Sequence, residues 1–111
     1  MNMKRLLIYQ TKFGKEPIID WLETLKDRKT ASRIKNRIQR LTLGAFGDYK
    51  SVGGGVYELR FHFGSGYRVY FAIEGNEILL LLCAGNKDSQ NNDIDCAKEY
   101  YRDHTYREEH A

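Results

Sequence analysis

The chain is short of the residues that staple or anchor small proteins. Among its 111 residues there are one proline, two cysteines and one tryptophan, and no apolar run longer than Ile78 to Ala84. A run of that size cannot cross a bilayer, which takes about 20 apolar residues, so no membrane segment is expected. At the N-terminus Lys4 and Arg5 are followed only by Leu6-Leu7-Ile8-Tyr9. That is too little for a signal peptide, and a cytoplasmic location is expected. Cys83 lies inside the apolar run and Cys96 in a predicted helix, with no CxxC or Cys/His ligand spacing. Two buried thiols are therefore expected, and neither a disulfide nor a metal site. Repeats and interdomain linkers are also lacking, so residues 1–111 are expected to form a single domain. Charge of one sign does not dominate either: the net charge of +3 permits a polyanionic partner without demanding one.

What is present is an ordinary globular balance, 41% hydrophobic and 30% charged. Arg5 to Gln10 reads as a first strand with little alternation, expected to be covered on both sides or to pair near the sheet centre. Pro17 opens a helix, where its missing N–H costs nothing. Ile18, Trp21, Leu22 and Leu25 form that helix's apolar stripe, ending near Lys26 to Arg28. A second helix is predicted from Thr30 to Leu43, with Ala31, Ile34, Ile38 and Leu41 inward and Gly44 as its stop. Its remaining faces are basic. Arg28, Lys29, Arg33, Lys35, Arg37 and Arg40 give six cations in thirteen positions, against Asp27 just before them. Such a run is either a solvated face or a dock for phosphates or an acidic partner, and Arg33, Arg37 and Arg40 are the candidate RNA-binding residues. Tyr49 to Val52 reads as a short edge strand. Gly53-Gly54-Gly55 lacks the Walker Lys-Ser/Thr and a following helix, so it reads as a turn and not a phosphate loop. Asp88 to Asp93 reads as a cap region before a last helix from Asp93 to Arg107, with Ile94, Ala97 and Tyr101 on one side, and the charged tail from Tyr106 to Ala111 is expected to fray.

Between Val56 and Ile73 apolar residues alternate with Glu58, Arg60, His62 and Arg68 around Gly64-Ser65-Gly66. Period-two alternation makes this a two-stranded ribbon with one face on a core and the other free for chemistry. A two-residue loop at Gly64-Ser65 would set Phe61 against Arg68. A three-residue loop pairs Phe63 with Tyr67, Phe61 with Val69, Leu59 with Phe71 and Tyr57 with Ile73, keeping one face apolar. The opposite face then sets His62 across from Arg68 and Arg60 across from Tyr70. The next turn, Gly75-Asn76, pairs Ile73 with Ile78 and Arg68 with Cys83, and the doubly apolar strand Ile78 to Ala84 belongs in the sheet interior. If the chain stays extended through Gly85, parity adds Lys87 to the face of Arg68.

The order strand, two helices, three or four strands in hairpin series and a final helix indicates an α+β fold with a mainly antiparallel sheet of four to five strands. In this setting Tyr57-Glu-Leu-Arg60, Gly66-Tyr-Arg-Val-Tyr70 and Leu-Leu-Leu-Cys-Ala-Gly-Asn-Lys-Asp88 resemble the RelE/ParE toxin superfamily. The resemblance is closest to its HigB-like branch, the addiction module killer or phage-derived Gp49-like proteins, and spans nearly the whole chain. It implies the toxin of a type II toxin–antitoxin system, with growth inhibition and plasmid stabilization as its biology. The activity implied is a metal-independent, cofactor-free endoribonuclease, an mRNA interferase that works in the ribosomal A site. There the ribose 2′-OH attacks the adjacent phosphate. The partners implied are the ribosome with its mRNA and a small helix-turn-helix, HigA-like antitoxin through which alone operator DNA is reached. Carried over by position, Arg60, Arg68 and Lys87 match the basic residues of that site. Glu58 stands where RelE-type enzymes carry a catalytic lysine, and Asp93 falls near where they carry a tyrosine. Proton transfer is thus open among His62, Glu58 and Tyr70. His62 is a proton-transfer group or a plain surface histidine; Glu58 is a base or a partner for Arg60; Tyr70 acts or simply packs. The same superfamily includes ParE-like, non-enzymatic inhibitors of DNA gyrase, and a degenerate toxin kept as an antitoxin-binding partner is the remaining alternative.

Overall fold

The computed structural model describes residues 3–111. Five strands form one sheet in the order β1-β5-β4-β3-β2. They are β1 (Arg5–Ile8), β2 (Tyr49–Gly53), β3 (Val56–Arg60), β4 (Arg68–Glu74) and β5 (Ile78–Gly85). Helices α1 (Pro17–Thr24) and α2 (Arg28–Thr42) lie between β1 and β2 in the chain, and α3 (Gln90–Glu109) follows β5. This is the expected α+β architecture, compatible with a RelE-like fold, with β1 parallel to β5 and every other pair antiparallel. Strand β5 sits inside the sheet, as its two apolar faces require. Strand β1 does not pair at the centre: it is an edge strand whose residues alternate between exposed and half-buried. Its burial is completed one residue later, by Tyr9. Cys83 is buried and Cys96 half-buried, both as free thiols.

Helix α1 begins at Pro17 and stops at Thr24, short of the expected end, because Leu25 turns extended and donates its N–H to Leu22. The chain must open there so that Asp27 can cap α2, its carboxylate accepting from the Lys29 N–H at 3.0 Å. Ile34, Ile38 and Leu41 of α2 are buried against Leu59, Phe61, Val69, Phe71, Leu79 and Leu81 on one face of the sheet. Each such side chain contributes about 2 kcal/mol. Thr42 is buried beside them where Ala31 was expected, and Gly44 closes the helix with φ +86°. On the other sheet face, Val56, Tyr70, Ala72, Leu80, Leu82 and Cys83 pack against Ala97 of α3. The ribbon face expected to be free is therefore covered.

Both hairpin registers differ from expectation. In the first, Tyr57 faces Phe71, Glu58 faces Tyr70, Leu59 faces Val69 and Arg60 faces Arg68. Phe61 donates to the Tyr67 carbonyl and Gly66 to that of Phe63, so the turn starts earlier, with Gly64 and Gly66 both at positive φ. The slip is two residues, which leaves the side chains of the paired residues Tyr57 to Arg60 and Arg68 to Phe71 on their expected faces. In the second hairpin Gly75 and Asn76 do make the turn, both at positive φ. The Glu77 carbonyl, however, accepts from the Arg5 N–H and is drawn into the β1 ladder. Ile73 thus faces Leu79, and a bulge at Tyr70/Phe71 then sets Tyr70 opposite Cys83 and Arg68 opposite Gly85. Helix α3 is longer than expected at both ends. The fraying expected from Tyr106 onward is not seen: the helix continues to Glu109, and the His110 ring stacks on Tyr106 with ring centres 4.0 Å apart.

Candidate active site: a buried charge network and a cationic groove

Glu58 is fully buried. It stays there because β3 must alternate and α3 closes over that face. One carboxylate oxygen accepts hydrogen bonds from the Tyr70 hydroxyl at 3.0 Å and the Gln90 side-chain amide at 2.8 Å. The Arg60 Nε lies 3.3 Å from the other oxygen, and the Arg68 Nε lies 3.9 Å from the first. Arg68 keeps 13% of its side-chain surface and Arg60 31%, so Arg60 is the cation with access to solvent. Burial, reinforced by the neighbouring Glu58 charge, pushes the Tyr70 phenol far above its ordinary value. It is a fixed hydrogen-bond donor, not a proton-transfer group. The network thus contains two cations and one anion, with the anion at its centre.

A second cluster lies where α2 meets the ribbon tip. Arg33, Asn36, Arg37, Arg40, His62 and Phe63 line an open groove of about 360 Å³. Helical spacing puts the three arginines on one stripe of α2. The Arg33 guanidinium lies 3.7 Å from the Phe63 ring centre, and that of Arg37 lies 5.0 Å from Phe61. Arg37 also donates to the carbonyls of Arg60 at 3.1 Å and Phe46 at 3.4 Å. Burial, with Arg40 nearby, holds its guanidinium below the ordinary value, against the opposing effect of Asp48. Arg37 is thus both a groove cation and the strut between α2 and the end of β3.

His62 does not face Arg68. The ladder ends at Arg60 and Phe61, and His62 swings out to join the α2 groove, 73% exposed, with its Nε2 at 2.5 Å from an Asp48 carboxylate oxygen. Lys87 does not extend the strand by parity, because the chain bends at Asn86, whose side chain caps the amides of Asp88 and Ser89. Lys87 stands instead beside the ribbon loop, its N–H donating to Ser65 at 3.3 Å and its side chain against Gly66. Glu58, Arg60, Arg68 and Tyr70 are therefore one cluster, Arg33, Arg37, Arg40 and His62 another, and Lys87 marks the loop. Sequence reasoning missed Gln90 and Asp48, the partners of Glu58 and His62. Nothing local signals either, since the pairs lie 32 and 14 residues apart.

Over residues 20–102 the sequence matches the model of the phage-derived Gp49-like protein family (DUF891). The chain belongs to this family. The Gp49-like match runs from α1 into α3 and includes every residue of both clusters. A relative in Haemophilus influenzae, described as an uncharacterized protein, is 46% identical over 78 residues, covering 70% of this chain and 79% of that protein. Gp49-like proteins are associated with toxin–antitoxin systems, which implies an antitoxin partner.

Proposed function

We propose that this Gp49-like chain is a HigB-like toxin of the RelE/ParE superfamily, folded as a single domain, and acts as a ribosome-dependent mRNA endoribonuclease in the cytoplasm. The observation that carries the proposal is the α2 groove. Three guanidiniums line an open groove of about 360 Å³, with an aromatic ring and an imidazole at its wall. Arg33, Arg37 and Arg40 would hold backbone phosphates, giving affinity without sequence choice. Arg60, the more exposed arginine of the buried network, would add positive field with Arg68 behind it and Lys87 at the loop. Attack of a ribose 2′-OH on its own 3′-phosphate builds charge on the phosphate oxygens, and preset guanidiniums stabilise that charge without a metal.

The test is induction of the chain alone in growing bacteria, with mapping of transcript 5′ ends. Growth arrest with new ends inside translated frames, relieved by a cognate helix-turn-helix antitoxin, is the expected result. Arrest with intact transcripts would overturn the nuclease reading. A second reading, a non-enzymatic gyrase inhibitor, is favoured by one feature: Glu58 neutralises much of the charge on Arg60 and Arg68. It predicts DNA breaks and an SOS response in the same experiment.

A further inference from the structure

We infer that Asp48 and His62 form the proton-transfer pair of this site, His62 taking the proton from the attacking 2′-OH and Asp48 positioning the imidazole. The inference rests on the nuclease reading above. His62 Nε2 lies against the Asp48 carboxylate. A carboxylate can only accept in such a bond, so Nε2 carries the hydrogen and, in the neutral ring, Nδ1 keeps the lone pair. The ring is held by Asp48 yet largely open to solvent, and it lines the same groove as Arg33, Arg37 and Arg40. Those three guanidiniums and the Asn36 amide share the groove with it, and Asp48 is its bonded partner. This is the arrangement a general base needs: a fixed tautomer, a free nitrogen, and cations that bring a phosphate to it.

Glu58 and Tyr70 are unsuited to the same role. Glu58 has no exposed surface and is already bonded to Tyr70 and Gln90. The Tyr70 hydroxyl is likewise buried and committed to Glu58. Of these three side chains, only His62 lines the groove.

The step balances without a co-reactant. His62 Nδ1 accepts the 2′-OH proton as the O2′–P bond forms. The P–O5′ bond breaks, and the 5′-oxygen takes a proton from water at the open groove mouth. The products are a 2′,3′-cyclic phosphate and a 5′-hydroxyl, and the imidazolium returns its proton to solvent. The substrate class is single-stranded RNA with a free 2′-OH, and the matching DNA strand is not cut.

The experiment uses the full chain with purified ribosomes carrying mRNA. Cleavage is followed by primer extension, and affinity is measured separately on mRNA with 2′-deoxyribose in the A-site codon. His62→Asn is expected to lose roughly 100-fold or more in cleavage rate, the usual worth of a general base, with affinity within about threefold of the wild type. Asp48→Asn is expected to show a smaller loss of the same kind, and added imidazole is expected to restore part of the cleavage by His62→Gly. If His62→Asn cuts within about twofold of the wild type, the dyad is wrong and the nuclease reading stands. If its cleavage and affinity fall together, His62 is a binding residue and the inference is overturned. If the wild type cuts nothing, the dyad and the nuclease reading both fall.

Discussion

A single buried carboxylate decides how β3, β4 and α3 meet. Glu58 is surrounded by two guanidiniums, a phenol and a side-chain amide, so its removal leaves Arg68, which keeps little exposed surface, and the inner part of Arg60 without their counter-charge. Replacing Glu58 by Ala should cost about 3 kcal/mol, because breaking a buried pair leaves its partners uncompensated. Urea denaturation reads this directly, and a midpoint unchanged from the wild type would mean that Arg60 and Arg68 simply rehydrate. Tyr70→Phe removes only one neutral donor and should cost about 1 kcal/mol. Arg37 and Arg40 are adjacent on α2 and separable in the same way. Arg37→Ala deletes two hydrogen bonds, to the carbonyls of Arg60 at the end of β3 and of Phe46 in the loop before β2, and should lower the melting temperature by several degrees, at about 1 kcal/mol per bond. Arg40 is exposed and its replacement should leave the melting temperature unchanged.

The docking of α3 depends on contacts at both ends of the helix. At its start, Gly85 lies so close to Asp93 that an added Cβ would stand 1.8 Å from a carboxylate oxygen and 2.7 Å from the Ser89 hydroxyl. Gly85→Ala should therefore push α3 off β5 and cost about 1–3 kcal/mol, as overpacking does. Measurement of thermal unfolding checks it, and a neutral result would mean that the Asp93 side chain moves away freely. Further along, the Tyr9 hydroxyl donates to Asp103 at 2.6 Å, and His104 lies 2.8 Å from Glu74 and 3.2 Å from Glu108. The Tyr9 hydrogen bond, helped by Arg107, holds the Asp103 carboxyl below its usual range, and burial with Asp103 raises the Tyr9 phenol to about 12. A lowered carboxyl contributes stability that is present above its unfolded value, about 3.9. That stability disappears as pH falls through the lower folded value. Tyr9→Phe should thus be less stable than the wild type by about 1 kcal/mol near pH 7, with the difference shrinking in acid. A difference that grows below pH 4 would contradict this. These elements also show what period and spacing reveal. Pro17, Gly44 and the Gly75-Asn76 turn stand where local chemistry puts them. A two-residue slip in β3–β4 went unseen because both registers give the same faces. The edge position of β1 and the full length of α3 depend on partners distant in sequence, which alternation does not encode.

For the molecule as a whole, the modest net charge of +3 conceals a division of labour between cations. The ribbon residues Glu58, Arg60, Arg68 and Tyr70 do share a face, as alternation requires, but α3 turns that face into an interior and makes Glu58 its hub. No pattern within the ribbon announces that cover. The basic stripe of α2 was legible from composition, and the fold adds the opposing wall, His62 and Phe63, that makes it a groove. The two clusters should therefore respond differently to salt. Cations that meet phosphates release bound counterions, so the slope of log affinity against log salt falls by roughly 0.7 for each single-strand phosphate that is no longer neutralised. Arg33→Ala with Arg40→Ala should flatten the slope for ribosome-bound or single-stranded RNA by about 1.4, with binding weakened most at low salt. Arg68 faces Glu58 and keeps little exposed surface. Arg68→Lys, which preserves charge there, should leave the slope as it is while altering stability. Fluorescence anisotropy across a salt series separates these outcomes. A slope insensitive to the α2 pair and sensitive to Arg68 would move the phosphate path out of the groove and onto the ribbon.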